Sequence, residues 1–151
     1  SDMYGIESHG VQRMVLYYKT IKNGRIHMDS HWEIVHETPL SAVIDNHFGV
    51  GQLVGHYAMN LAIEKAKKSG VGIVSVKNSN HYGIAGYYAK MAVAWAVSVY
   101  FAAFPDEMLT YLQDGHKLDE FTYKKSLQKI TESYRVDKEM KKIIKEMRQR
   151  G

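Results

Sequence analysis

Three polar side chains near the start of the chain are spaced for chemistry. His9, Arg13 and Tyr17, in the run SHGVQRMVLYY, sit at i, i+4 and i+8, positions that share one face of a helix. Histidine, with an ordinary pKa of ~6.5, both gives and takes a proton near neutrality. Arginine offers a planar fork that grips a carboxylate with two hydrogen bonds. A tyrosine hydroxyl adds one more hydrogen bond. Together these types describe a site for a small acid with a reacting oxygen. Spacing alone also admits, and on its own favours, an N-capped helix whose His9 and Arg13 merely face solvent.

A second group lies at SNHYGIAGYY, Ser79 to Tyr88. It follows a short apolar run and precedes a helical pattern, the place where α/β proteins put ligands. His81 stands at the mouth of that loop. Gly83 and Gly86 allow close backbone approach, and the start of the helix favours an anion. A plain turn with a satisfied histidine fits the same residues. The spacing is not GxGxxG, so a Rossmann nucleotide site is not indicated. A third group, GVGQLVG from Gly49 to Gly55, offers glycines that could cradle phosphate; a tight packing loop is an equal reading. His27, His31 and His36 are spaced by four and five, but residues 32–36 read as a strand. These histidines therefore should not converge, and no zinc site is expected.

The elements that must position these groups alternate. Val11, Met14, Tyr17, Tyr18 and Ile21 recur at helical spacing, with Ser8 as the expected N-cap and Asn23-Gly24 as the stop. HWEIVHET and SAVID read as strands parted by Thr38-Pro39. HYAMNLAIEKAKKSG reads as a helix with Tyr57, Leu61, Ala62 and Ala66 on one face, lysines on the other, and Gly70 as its cap. VGIVSV reads as a buried strand, and a helix opens at Ile84. Ser98 to Phe104 is expected to be a strand ended by Pro105. Beyond it lie two or three amphipathic helices, the last ending at Gly151. Alternating strand and helix imply an α/β or α+β fold, a small mixed sheet with flanking helices. The expected division is a core over 1–104 and a helical tail, packed on it, over 105–151.

Bulk properties narrow the partners. A chain of 151 residues with 45% hydrophobic residues supports one domain of modest core. There is no cysteine, which excludes disulfides and thiolate metal sites. No run approaches the ~20 apolar residues of a membrane span, and no signal peptide opens the sequence. A cytoplasmic protein is the expectation. The net charge of +4 resides in residues 113–151, where eleven Lys and Arg face seven Asp and Glu. Interleaved charges of this kind make a solvated helical face and disfavour a nucleic-acid partner.

Taken in order, DMYGIESHGVQRMVLYYKTIKNGRI and AVIDNHFGVGQLVGHYAMNLAIEKAKKSGVGIVSVKNSNHYGIAGYYAKMA resemble the type 2 malate/L-lactate dehydrogenase family. That family also holds sulfolactate, ureidoglycolate and diketogulonate oxidoreductases. The resemblance covers about residues 2–92 and rests on D-x-x-G-x-x-S-H-G-x-x-R, G-x-G-Q and N-x-N-H-[FY]-G-I-A-G-Y-Y. It implies an NAD- or NADP-dependent oxidoreductase acting on small 2-hydroxy or 2-oxo acids, with a fold unlike the Rossmann fold. By resemblance His9 is the proton donor and acceptor, and His81 is a second catalytic histidine. Arg13 and Tyr17 hold the substrate carboxylate, and Ser8, Gly83, Ile84 and Gly86 lie at the cofactor. The family's later N-x-x-x-x-x-x-P-x-G-G, G-T-N-P and G-G-x-K-G-Y-G segments are absent from this sequence. The expectation is a family core without most of its cofactor domain, either still an oxidoreductase or a non-catalytic assembly module. Apolar surface exposed by such a loss predicts a homo-oligomer.

Overall fold

The computed structural model describes residue 2 and residues 5–150; Gly151, the expected end of the last helix, lies outside them. The chain divides into two compact units, Ser1–Tyr88 and Ala89–Gly151.

The first unit is built around a three-stranded sheet of order β1-β2-β3. Strand β1 (Glu33–Glu37) pairs antiparallel with β2 (Ser41–Asp45), with an irregular register between Ile34 and His36. Strand β3 (Ile73–Lys77) runs parallel to β2, with Ser41 opposite Ile73 and Asp45 opposite Lys77. Parallel neighbours need a crossover, and helix α2 (Gly51–Ser69) supplies it. Its start lies within the glycine-rich run, five residues before the expected His56. It stops at Gly70, whose N–H reaches the Ala66 carbonyl and whose φ of +80° turns the chain out of the helix.

Ile44, Val54 and Ala58 form the core here, with Trp32, Leu61, Val74 and Val76 against them. The buried face of α2 is therefore set by Val54, Ala58 and Ile63, while Tyr57 is exposed. Lys65, expected on the polar face, is buried. Its Nζ bonds Glu37 Oε1 at 2.8 Å and the Thr38 carbonyl at 2.7 Å, which satisfies the charge. Strand β3 shields only Val74 and Val76, leaving Ile73, Ser75 and Lys77 exposed. An apolar run does not by itself reveal whether a second layer covers its other face.

Ahead of the sheet, helix α1 spans Met14–Lys22. Residues 9 and 13 do not lie on it. They fall in two 3-10 turns, Glu7–His9 and Val11–Arg13. Ser8 is not the cap of α1; its hydroxyl lies 2.9 Å from His9 Nδ1.

Helix α3 (Ala85–Ala103) crosses the boundary between the units. It continues through the stretch expected to be a strand. Val97 and Phe101, one helical turn apart, both enter the second core with Leu112, Leu127, Ile130, Val136 and Ile144. Strand alternation would also put them on one side, but it would bring Val99 there too, and Val99 is exposed. Packing thus overrides the strand propensity of Val, Tyr and Phe. Pro105 opens helix α4 (Pro105–Thr110) instead of ending a strand. A π-helical turn follows over Tyr111–Gly115.

Helices α5 (Glu120–Glu132) and α6 (Lys138–Arg150) complete the second unit. Asp119 caps α5, accepting from the Thr122 N–H at 3.3 Å and from its hydroxyl at 2.6 Å, and it pairs with Lys90 at 2.9 Å. Burial opposes its charge, yet the Thr122 and Lys90 bonds hold its pKa at about 2. Surface lysines pair with acids on their own helices, as in Lys124–Glu120 and Lys142–Glu139.

Candidate functional site

Both loops that leave the carboxyl ends of the parallel strands meet within the first unit. Residues 46–50 follow β2 and residues 78–84 follow β3. The fully buried Asn46 amide donates to the Gly49 carbonyl at 2.9 Å and to Ser79 Oγ at 3.3 Å. Asn80 Nδ2 donates to the carbonyls of Phe48 and Gly49 at 2.8 and 3.1 Å. Backbone bonds from Asn46 N to Lys77 O and from Phe48 N to Asn78 O add to the seam. His47, Phe48 and Asn78 have positive φ angles of 45°, 61° and 49°, conformations that persist only where surroundings impose them. Asp45 anchors the base. The His47 N–H, Lys77 and Asn78 hold its carboxyl at about 2, below the ordinary carboxylate range.

The start of α2 is pressed against this seam. A Cβ on Gly51 would collide with the backbone carbonyls of Asn80 and His81. A side chain is excluded there, and Gln52 is brought to the mouth of the loop.

His81 is the hub. Its Nδ1 lies 2.6 Å from the Tyr17 hydroxyl, which receives a hydrogen bond of 2.8 Å from Gln52 Nε2. The Gly83 N–H also points at Nδ1, at 3.4 Å. His9 lies alongside, with ring centroids 5.1 Å apart and planes tilted by 36°. Arg13 Nε donates to the Ser8 carbonyl at 2.7 Å, tying the turn that carries His9. Burial lowers the pKa of His81, and the charges of Arg13 and His9 lower it further. Its Nε2 is buried and has no partner among the described residues.

Beside this cluster is a cavity of about 410 Å³ lined by Gln52, Leu53, His56, Tyr82, Gly83, Ile84, Tyr87 and Tyr88. Tyr88 is one of the lining residues. It is buried, and its hydroxyl donates to the Tyr82 carbonyl at 2.5 Å. Burial raises its pKa, with Tyr87 and Tyr82 adding to the rise. Gly83, at φ +88°, turns the chain where an L side chain would be strained.

The sequence-derived residues therefore fall into sets. His9, Tyr17 and His81 converge, and Arg13 and Ser8 hold the turn beside them. Gly83 and Ile84 line the cavity. Gly86 does not, and a Cβ there would meet nothing within 4 Å. His31 stacks on His47, at 4.8 Å between centroids. Among the described residues, no group of three His, Cys, Asp or Glu is placed to hold a metal ion.

The family described as malate/L-lactate dehydrogenase matches residues 1–103. The chain belongs to this family. Its dehydrogenase relatives include a malate dehydrogenase of Pyrococcus abyssi, 56% identical over 92 residues, which are 61% of this chain and 25% of that protein. An L-sulfolactate dehydrogenase of Methanocaldococcus jannaschii is 48% identical over 93 residues, covering 62% of this chain and 27% of the relative. The solved malate dehydrogenase of Pyrococcus horikoshii superposes with a TM-score of 0.59 at 51% identity, covering 61% of this chain and 26% of that one. The mixed sheet with flanking helices is thus the fold of this part of malate dehydrogenases. The chain spans about a quarter of the length of the relatives it matches.

Within this malate/L-lactate dehydrogenase core, Gln52 is the residue that spacing did not reveal as part of the cluster. The available signal was the G-x-G-Q motif, Gly49 to Gln52, which ends on it. Asn80 stands in the N-x-N-H motif, whereas Asn46, which also stitches the loops, was hidden, because asparagines in turns are ordinary.

Proposed function

We propose that the chain carries the acid–base and carboxylate-holding part of a nicotinamide-dependent oxidoreductase acting on a small 2-hydroxy or 2-oxo acid. The observation behind this reading is the convergence of His9, Tyr17 and His81 beside the cavity lined by Gly83 and Ile84. Oxidation removes the hydroxyl proton and a hydride from C2 of the acid, leaving the 2-oxo acid. His9 receives that proton, and in the reverse direction returns it. The two Nη groups of Arg13, which carry no hydrogen bond among the described residues, hold the carboxylate, while the Tyr17 hydroxyl, 2.6 Å from His81 Nδ1, holds that ring in place.

NAD or NADP would supply hydride chemistry. The cavity fits a planar ring: its volume is in the range of small-ligand pockets, its walls are largely tyrosine and aliphatic, and Gly83 contributes no side chain. Gly83 and Ile84 would lie at that ring, while Ser8 and Gly86 stand outside the residues that line the cavity. A cytoplasmic location accords with this reading, and no helix among the described residues is long and apolar enough to cross a membrane. Calorimetric titration with malate, lactate and sulfolactate, each with and without NAD or NADP, tests it. Saturable binding of acid or cofactor is expected, and absence of both defeats the proposal.

A second reading is a non-catalytic assembly module derived from the same family. It is favoured by an uncovered stripe along α1 and the turn before it: Val11, Met14, Val15 and Tyr18 are 71%, 62%, 64% and 60% exposed. Residues at i, i+3, i+4 and i+7 make one apolar face, which a second copy of the chain would cover. Sedimentation showing a monomer at high concentration would count against it.

A further inference from the structure

We propose that Gln52 is a positioning residue that acts through the Tyr17 hydroxyl to hold His81 as its Nε2–H tautomer, giving the site a fixed, neutral N–H donor beside His9. The role as a substrate-facing donor rests on the function proposed above; the tautomer itself rests on geometry alone.

The hydrogen-bond directions follow from the groups involved. An amide nitrogen only donates, so at 2.8 Å from Gln52 Nε2 the Tyr17 oxygen is an acceptor. Its own proton is then left for the neighbour at 2.6 Å, His81 Nδ1. The Gly83 N–H, which cannot be turned round, points at the same nitrogen. A nitrogen that receives two donors carries no proton. In the neutral ring the proton therefore sits on Nε2. An imidazolium would place a proton on Nδ1 against both donors, and burial with the nearby Arg13 and His9 charges opposes it as well.

This leaves Nε2–H buried without an acceptor among the described residues. An unpaired buried donor is costly, and a carbonyl or carboxylate oxygen arriving beside His9 would satisfy it. The two histidines then divide the work. His81 is locked as a donor that polarises and orients the acid. His9, with only the Ser8 hydroxyl at its Nδ1, remains the ring that exchanges a proton.

Reversing the Gln52 amide, so that its oxygen faces Tyr17, would reverse the chain of donors and put the proton on His81 Nδ1. Nitrogen-15 NMR of the labelled full chain separates the two, with the His81 signals assigned from their absence in His81→Asn. A pyridine-like Nδ1 and a pyrrole-like Nε2 are expected. Gln52→Glu, which can only accept from Tyr17 at neutral pH, is expected to exchange the two patterns while circular dichroism stays native. A pyrrole-like Nδ1 in the unsubstituted chain overturns the proposal, as does an unchanged pattern in a folded Gln52→Glu. If Gln52→Glu does not fold, Tyr17→Phe reads the same link: averaging of the two tautomers supports it, and a fixed Nε2–H form overturns the part given to Gln52 and Tyr17. None of these spectra needs substrate or cofactor. Failure to bind 2-hydroxy or 2-oxo acids would thus reject the proposed function while leaving the tautomer standing, and the converse outcome would do the reverse.

Discussion

Gly51→Ala sets helix propensity against the seam that carries His81. At an open helical position, replacing glycine by alanine stabilises by up to about 1 kcal/mol. At Gly51 the new methyl would meet the carbonyl oxygens of Asn80 and His81. These are backbone atoms of a loop tied down by the Asn46 amide at Ser79 Oγ and by the Asn80 amide at the Phe48 carbonyl, so they cannot swing aside as a side-chain tip could. Overpacking of this kind costs about 1–3 kcal/mol, and rigid backbone neighbours place it toward the upper end. The net expectation is a destabilisation of about 1–2 kcal/mol, or roughly 2–8 °C in Tm for a chain of this size. Gly86→Ala is the control, because a Cβ there meets nothing and Gly86 lies within α3. It should be neutral or raise Tm by a few degrees. Thermal unfolding by circular dichroism reads both. If Gly51→Ala melts at or above the parent temperature, the close approach of α2 to the 80–81 backbone is wrong.

Further consequences concern the second core, the cap and pH. Phe101→Ala and Leu127→Ala, at fully buried positions, should each cost about 3–5 kcal/mol in urea unfolding. Asp119→Ala removes the α5 cap and should cost about 1 kcal/mol by the same measurement. Asp45, lowered from 3.8 to about 2, is charged in the native state at pH values where the unfolded chain is protonated. Its contribution to stability is full above about 4 and disappears as pH falls through about 2, so Asp45→Asn should flatten the acid limb of a stability–pH curve. His81 is lowered from 6.5, so the unfolded chain binds its proton first. Native stability should therefore decline as pH drops below 6.5, and His81→Asn should remove that part of the slope.

The parts of this structure that were legible in the sequence are those set by local chemistry. SAVID and VGIVSV form paired strands, Gly70 caps α2, and the chain between them crosses over as alternating patterns require. His9, Tyr17 and His81 were singled out by residue type, and they meet. Helical spacing is not what joins His9 to Tyr17. Two 3-10 turns replace the first helical turns, and the shared contact is His81, which follows β3. What stayed hidden depends on distant partners. Gln52 ends the G-x-G-Q motif, but its bond to Tyr17 shows only when Gly51 is seen against the 80–81 carbonyls. Ser98 to Phe104 has strand-like composition, and only the second core makes it a helix. Lys65 sits in a lysine-rich run, and nothing local marks it as the one buried against Glu37.

Isothermal titration of a 2-oxo acid such as oxaloacetate, into the parent chain and into Arg13→Met, bears directly on whether the residues around His81 form a site for a small acid. Saturable binding by the parent is expected. Loss of a charged hydrogen-bond donor should weaken it about tenfold to a hundredfold in Arg13→Met. No binding to the parent, or equal binding to both chains, would contradict the site described here.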